Sequence, residues 1–163
     1  MYGKKEIIDY LNENKIEYEI AEHPAVYTVE EADALNLPHP EAGTKNLFLR
    51  DDKKRRYYLV VARENVSINL KELRAKLETR PLTFASEKDL AAILGLIPGA
   101  VTPLGVLNDE ERRVEVVLDA ALSGKLIAMH PNENTATIWL QEEELTKIIR
   151  EHGNEMIFVK LDE

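Results

Sequence analysis

Hydrophobic and polar residues follow two different periods along this chain, and the two periods predict a mixture of helices and strands. Apolar residues three or four positions apart, with charged residues between them, predict helices, whereas alternation or a short apolar run predicts a strand. The predicted helices are 3–13, a segment from the Thr28 cap through Leu35, one from the Asn69 cap through Leu77, one from the Ser86 cap to Gly95, and 142–151. The predicted strands are 16–20, 44–50, 56–62, 81–84, 105–107, 114–118, 126–129 and 135–140, and a last apolar run covers 155–160.

Local signals support several of these elements. Thr28 and Glu31 have the spacing of a capping box, in which each side chain bonds the other residue's backbone N–H. A charged turn at 51–54 separates the two strands 44–50 and 56–62 and predicts a hairpin. Because 58–62 is almost entirely apolar, we expect the second strand to be central in its sheet. Strands interrupted irregularly by helices predict an α+β fold around a mixed sheet.

Length and composition narrow the class of protein. The 163 residues suit one domain with one core, so we expect a single domain over 1–163. The absence of cysteine excludes disulfides, a thiolate nucleophile and Cys-ligated metals. No apolar run approaches the roughly 18 residues of a membrane helix, and the first residues lack the apolar region of a signal peptide. We therefore expect a soluble, cytoplasmic protein.

The charge of the chain is unevenly distributed. The formal net charge is −9, yet residues 45–80 hold 11 Lys or Arg against five Asp or Glu, and the remainder holds 10 against 25. A basic segment on an acidic body can bind phosphates locally while the body repels them elsewhere. The alternative interpretation is a solvated hairpin followed by an exposed helix face.

The sequence lacks the motifs that several classes of catalytic chemistry require. The four histidines show no close ligand spacing, so we predict no metal site. No Gly-x-Ser-x-Gly elbow, phosphate-binding Gly-x-x-x-x-Gly-Lys loop or Gly-x-Gly-x-x-Gly motif is present. Hydride transfer, metal-assisted hydrolysis and covalent hydrolysis are therefore disfavoured, and we predict no cofactor.

A few polar positions remain as candidates. Lys45 and Asn46 stand at the head of an apolar strand, where an ammonium can meet a ligand anion and an amide can bind a carbonyl. The loop 98–103 runs from Gly99 to Pro103 and could present its backbone to a ligand. His130 could shuttle a proton or bind phosphate. Each candidate also has a purely structural interpretation. Lys45 could be a surface lysine at a strand end and Asn46 an amide at a strand edge, while 98–103 could be an ordinary loop and His130 a turn residue.

Taken together, these segments resemble the YbaK-like editing domains associated with prolyl-tRNA synthetase, and most of all the free-standing branch that deacylates alanyl-tRNA(Pro). The resemblance spans nearly the whole chain in the family's order. The matching segments are Glu22-His23-Pro24, Gly43-Thr44-Lys45-Asn46-Leu47-Phe48-Leu49, Leu94-Gly95, Pro98-Gly99-Ala100-Val101-Thr102-Pro103-Leu104-Gly105, and His130-Pro131-Asn132 with Asn134 and Thr137. The family's fold implies a mixed, mostly antiparallel, barrel-like sheet flanked by helices.

The resemblance also implies an activity and a set of roles. The enzyme would hydrolyse alanine from tRNA(Pro), with the tRNA acceptor end and prolyl-tRNA synthetase as partners and no metal. Lys45 would bind the acceptor terminus, Asn46 would position the aminoacyl group, and His130 would contact substrate at the pocket mouth. The backbone from Gly99 and Ala100 through Val101, Thr102 and Pro103 would hold the ester and a water molecule across the pocket from Lys45. Tyr27, Val29 and Met129 flank these motifs, and we predict that they form the pocket walls or, alternatively, ordinary core.

Two other functions remain open. Sister branches of the fold differ in the amino acid that they remove, so cysteinyl-, seryl- or threonyl-tRNA could be the substrate. A non-catalytic module that binds tRNA or the synthetase is the alternative outside enzymes, although the intact Lys45-Asn46 pair favours an active deacylase.

Overall fold

The computed structural model describes residues 1–161, without the side chain of Val29. The α-helices are α1 (Lys4–Glu13), α2 (Val29–Ala34), α3 (Leu70–Leu77), α4 (Glu87–Asp89, continued by a wider π turn at Leu90–Leu94) and α5 (Glu142–His152). The strands are β1 (Glu19–Glu22), β2 (Thr44–Asp51), β3 (Tyr57–Arg63), β4 (Leu82–Phe84), β5 (Val114–Asp119), β6 (Leu126–Met129), β7 (Ala136–Gln141) and β8 (Met156–Val159). Short 3₁₀ helices are formed by Pro40–Ala42, Pro103–Asn108 and Ala120–Leu122.

The strands form two sheets. The larger sheet has the order β4-β2-β3-β5-β8, with β2 antiparallel to β3 and β4, and β5 parallel to β3 and β8. The smaller sheet has the order β1-β7-β6 and is antiparallel throughout. The expected mixed, mostly antiparallel α+β architecture is confirmed. The barrel-like closure is corrected, because the two sheets are not closed into a barrel.

Two layers of apolar side chains cover the larger sheet. Alternate residues of a strand point to opposite faces, so Leu59 and Val61 of β3 face the smaller sheet, α1 and α5, while Tyr58 and Val60 face α3. Every residue from Tyr57 to Ala62 is buried. The prediction that this strand is central is therefore confirmed, and burial on both faces explains its continuous apolar run.

Two sequence predictions need correction. The predicted strand 105–107 is wrong, because these residues belong to the 3₁₀ helix Pro103–Asn108. Thr102 starts this helix, with its hydroxyl accepting from Leu104 N–H and proline at the first helical position. The strand predicted at 16–20 begins later, at Glu19. Ile16 N–H still bonds Leu11 in the turn that leaves α1, and Lys15 adopts a left-handed conformation there.

The two sheets meet at the start of β2. The Thr44 hydroxyl donates a hydrogen bond of 2.8 Å to the carbonyl of Ala128 on β6. This bond joins the larger sheet to the smaller one at the end of the apolar layer between them. In the part of the chain that the structure describes, no helix has the length and apolar character required to cross a membrane.

Candidate active site

A cavity of about 480 Å³ opens where the two sheets meet. Its walls come from the start of β2, the end of β6, two residues of β7, and the segment that runs from α2 to the 3₁₀ helix before β2. The lining residues are His23, Val26, Ala32, Asp33, Leu35, Asn36, Leu37, Pro38, His39, Pro40, Gly43, Thr44, Asn46, Glu64, Ala128, Met129, His130, Thr137 and Trp139. Polar groups from several separate segments therefore converge on one recess.

Asn46 lines the cavity with a side chain that makes no hydrogen bond to any residue among 1–161. Its Oδ1 atom is buried without a partner. Leaving a buried polar atom unpaired costs about 1–3 kcal/mol, so an amide of this kind is more typical of a binding site than of a structural position. The Asn46 amide group is available to a carbonyl or hydroxyl of a ligand.

His130 follows β6 and has a defined tautomer. Its Nδ1 lies 2.9 Å from the carbonyl oxygen of Ala136, and a carbonyl only accepts, so Nδ1 carries the proton. Burial lowers the pKa of His130 below its ordinary value of 6.5, and the nearby His23 acts in the same direction. The Ala136 carbonyl opposes this shift without overcoming it. At pH 7 the ring is therefore neutral, with an unprotonated Nε2 that can accept a hydrogen bond.

His23 supports the same wall of the cavity, with its ring centroid 6.4 Å from that of His130. Its Nδ1 lies 2.9 Å from the Pro24 carbonyl and its Nε2 lies 3.0 Å from the hydroxyl of Thr137. Since the carbonyl can only accept, Nδ1 donates and Nε2 of the neutral ring accepts from Thr137. The neutral form of His23 thus has both nitrogens paired, which leaves His130 as the ring with a free acceptor.

Three of the predicted site residues line this cavity, namely Asn46, Met129 and His130. Lys45 does not. It is next to Asn46 on β2, so its side chain leaves the strand on the face shared with Leu47 and Leu49, which pack on α3. Within residues 1–161 the Lys45 side chain is half-buried and makes no ion pair or hydrogen bond. Its predicted role in binding the acceptor terminus stays a prediction.

The loop 98–103 does not line this cavity either, so the structure does not place it opposite Lys45 across the recess. Ala100 and Thr102 are completely buried, and Val101 packs against the larger apolar core. Gly99 lies nearer, since a Cβ added there would be 3.8 Å from Asn134 Nδ2, and that nitrogen bonds the carbonyl of Val26 in the cavity wall. The loop therefore borders the site through Asn134, and the ligand-binding role of residues 99–103 stays a prediction.

Of the other predicted walls, Tyr27 is 68% exposed and is absent from the cavity lining. The side chain of Val29 lies outside the described part of the structure. Met129 is buried and contributes directly to the wall. Met129 thus lies where the predicted role requires, Tyr27 does not line the cavity, and the role of these residues as walls that limit substrate size stays a prediction.

Sequence reasoning missed several lining residues, among them Trp139 and His39, and it placed Thr137 in a matched motif without naming it as a site residue. Trp139 is 2% exposed, its Nε1 has no partner within 1–161, and its ring meets that of His39 edge-on at 5.9 Å. Thr137 and Trp139 are two positions apart on β7 and so share a face, whereas Ile138 and Leu140 face the apolar core. This alternation was readable in the segment 135–140, but not which of its faces meets a cavity.

The basic turn between β2 and β3 lies far from this cavity. Seven residue steps of β2 separate Thr44 from Asp51, which corresponds to about 23 Å at the rise of a strand. Two charged residues of this segment, Asp52 and Arg56, are paired. Arg80 donates two hydrogen bonds to the Asp52 carboxylate at 2.7 and 3.0 Å, and Arg56 forms an ion pair with Glu115 at 3.3 Å. Lys53, Lys54 and Arg55 remain exposed.

Comparison with known proteins identifies the class to which this chain belongs. The chain shares its fold with the crystal structure of a candidate trans-editing enzyme for prolyl tRNA synthetase, at a TM-score of 0.72 and 19% identity, over 100% of this chain and 99% of that one. Residues 23–148 match the family described as the aminoacyl-tRNA editing domain. The chain belongs to the aminoacyl-tRNA editing domain family. It is accordingly a hydrolase of the aminoacyl-tRNA deacylase class, and the suspected family is confirmed.

Named relatives cover almost the whole chain. The chain is 46% identical over 162 residues to the prolyl-tRNA editing protein ProX of Acetoanaerobium sticklandii, with 99% of both chains covered. It is 36% identical over 166 residues to the prolyl-tRNA synthetase associated domain-containing protein 1 of Danio rerio, covering 98% of this chain and 88% of that protein. The family assignment therefore extends well beyond the segment that the family model matches.

The environment of His130 predicts its titration. Because burial lowers the folded-state pKa of His130, the unfolded chain binds more protons at this residue, and the contribution of His130 to stability falls as the pH drops below about 6.5. Nitrogen-15 NMR of the ring should show Nδ1–H at pH 7 and a titration midpoint below the midpoint measured in urea. The variant His130→Gln should show a weaker acid dependence of unfolding. A midpoint above the unfolded value would contradict this account.

Proposed function

We propose that this protein acts in trans to hydrolyse alanine that has been attached to tRNA(Pro) by mistake, and that it spares prolyl-tRNA(Pro). The observation that carries the proposal is a cavity lined by Asn46, Met129 and His130 in a chain 46% identical along its length to a prolyl-tRNA editing protein. The tRNA(Pro) acceptor end is the partner, and residues 1–163 act as a single editing domain. Such an activity belongs with translation in the cytoplasm.

A physical limit of synthetase pockets explains why such an enzyme is needed. A pocket built for a larger amino acid rejects a smaller one only weakly, because each missing methylene is worth about 1–3 kcal/mol. A second site can hydrolyse a product that is small enough to enter it. The buried Met129 side chain, on the wall of the cavity, is suited to limiting the size of the aminoacyl group.

The reaction needs little from the protein because an aminoacyl ester is already activated. Water attacks the ester carbonyl carbon, the bond from that carbon to the ribose oxygen breaks, and the proton passes to the ribose oxygen. Asn46 would donate through Nδ2 to the carbonyl oxygen on which negative charge develops, while its unpaired Oδ1 would accept a hydrogen bond from a hydroxyl of the substrate. His130 Nε2 would accept a hydrogen bond from the water or from the terminal ribose hydroxyl. Positioning of these groups accounts for the catalysis without an obligatory protein general base.

Lys45 and the 98–103 loop would act on the tRNA side of the ester. The Lys45 side chain leaves β2 on the face opposite to Asn46, and within 1–161 its ammonium makes no ion pair or hydrogen bond, so it would be available to a tRNA phosphate or to the terminal nucleotide outside the cavity. Gly99 lies near Asn134, which bonds the carbonyl of the lining residue Val26, and the loop would contribute backbone groups on that side of the cavity.

The direct test of function is a panel of aminoacyl-tRNAs. We expect rapid deacylation of alanyl-tRNA(Pro) and little or none of prolyl-tRNA(Pro), measured by the loss of radiolabelled amino acid from each tRNA. Seryl-, threonyl- and cysteinyl-tRNA distinguish the alternative substrates, since Thr44, Asn46 and Thr137 could also bind a small polar side chain. Hydrolysis of none of these esters would favour the non-catalytic binding module.

The mechanism predicts an order of severity among variants. Asn46→Ala should lower kcat by about 10²–10³, as expected for the loss of one donor to a developing oxyanion. His130→Ala should lower kcat on the order of tenfold and leave measurable activity, since it removes one hydrogen-bond acceptor. Asn65→Ala, an exposed amide outside the cavity, is the matched control. Complete loss of activity in His130→Ala with tRNA binding intact would show that a protein proton shuttle is required.

The size limit predicts the effect of shortening Met129. Met129→Ala should reduce the preference for alanyl- over prolyl-tRNA(Pro) by about tenfold or more, because removing three heavy atoms of side chain leaves room for the larger group. Met156→Ala is the matched control, since Met156 is a buried core methionine that does not line the cavity. Both variants should lose comparable stability. Equal selectivity in the two variants would exclude Met129 as the size-limiting wall.

A further inference from the structure

Tyr27 stands out among the residues around the site because its aromatic ring is exposed beside the cavity and does not line it. The residue is 68% exposed. Tyr27 directly follows Val26, which lines the cavity. The carbonyl of Val26 accepts a hydrogen bond from Asn134. Exposed single aromatics are common on protein surfaces, so the argument depends on how the ring is held and on where it lies.

The backbone of Tyr27 is fixed by the start of α2. Tyr27 N–H donates to Glu31 Oε1 at 3.0 Å, and the same carboxylate oxygen accepts from Thr28 N–H at 3.1 Å. Thr28 in turn caps the helix by accepting from Glu31 N–H at 3.1 Å. This reciprocal pair fixes the position at which the ring leaves the chain, so little conformational freedom of the backbone remains to be lost on binding.

The ring also rests against the 98–103 loop. A Cβ added at Gly99 would lie 3.5 Å from Tyr27 Cδ1 and 3.9 Å from Cε1. Gly99 adopts a φ of +90°, which favours glycine, so the loop presents bare backbone to the edge of the ring. The Tyr27 hydroxyl makes no hydrogen bond to a described residue. The ring is therefore positioned by the capped backbone and by its contact with Gly99, and not by a hydrogen bond from the hydroxyl.

We propose that Tyr27 is a stacking platform for the unpaired bases at the 3′ end of the tRNA. The inference rests on the proposed function, because an ester held in the cavity would place its nucleotides just outside, and Tyr27 is an exposed aromatic residue directly after the lining residue Val26. Bases of single-stranded nucleic acid stack on aromatic side chains, and every base offers a face for this contact. Tyr27 is a binding and positioning residue for the nucleotide part of the substrate, outside the aminoacyl cavity.

The test compares two uncharged RNA minihelices with the tRNA(Pro) acceptor stem, one ending in the unpaired 3′ nucleotides and one lacking them. Binding is measured by fluorescence anisotropy. Tyr27→Ala should weaken binding of the complete minihelix on the order of tenfold, as expected for the loss of a stacked base, and should leave the truncated one unchanged. Tyr27→Phe should retain wild-type binding because the hydroxyl is not used. Phe84→Ala removes another exposed aromatic, 58% exposed on β4, and should change neither affinity.

Kinetics give a second readout that a merely structural role would not produce. With an alanyl-minihelix as substrate, Tyr27→Ala should raise KM on the order of tenfold and leave kcat within about twofold, because the reacting groups are untouched. Equal loss of affinity for both minihelices, or no loss for either, would overturn the platform. So would failure of Tyr27→Phe to retain binding. A wild-type protein that binds the unpaired end through Tyr27 but hydrolyses no ester would refute the proposed function and leave the platform standing.

Discussion

Burial of apolar side chains between the two sheets is the constraint on which the site depends. Leu59 and Val61 of β3 pack with Ile138 and Leu140 of β7 in one core, and all four are completely buried. Each such side chain contributes about 1.5–3 kcal/mol, which holds the sheets in one relative position. The cavity forms where this apolar layer ends and the two sheets are joined by the hydrogen bond between Thr44 and Ala128. Polar groups at that boundary are positioned by a rigid core yet remain accessible to a ligand.

That location also sets the chemistry of the polar groups. Burial keeps His130 neutral, and the bond from its Nδ1 to Ala136 directs the lone pair to Nε2. Asn46 retains a buried oxygen without a protein partner. Such a feature lowers stability in a protein that only has to fold, and it is expected where a ligand supplies the missing partner. For an already activated ester, oriented dipoles of this kind can provide a large part of the catalysis.

Recognition of an aminoacyl-tRNA divides naturally into two parts in this molecule. Buried side chains such as Met129 and Trp139 contribute to the wall of the cavity, where the proposed selection of an amino acid by size would take place. The rim is more open, with an exposed Tyr27 held against Gly99, which suits contacts with nucleotides that are the same in every tRNA. The exposed cations Lys53, Lys54 and Arg55 lie about 23 Å farther along β2 and could act only on a more distant part of the tRNA.

The sequence by itself determined most of the elements and the family. The capping box at Thr28, the central apolar strand at 58–62 and the hairpin around 51–54 all follow from local chemistry, and each is present. The motifs that carry the family resemblance also contained Asn46, His130, His23 and Thr137, so part of the cavity wall lay within segments that the resemblance had singled out. The strand predicted at 105–107 failed because a proline and a threonine cap at its start favour a 3₁₀ turn over an extended chain.

Only the tertiary structure decided which face of each element meets the cavity. Lys45 and Asn46 are adjacent in sequence, but the pleat of β2 sends their side chains to opposite faces, so they cannot share one wall. Trp139 is held at the site because β7 pairs not only with its neighbour β6 but also with β1, where Glu19 lies opposite Trp139, and a contact so distant in sequence is not encoded by any local pattern. Periodicity specifies that a strand has two faces, whereas the packing of the sheets specifies what each face touches.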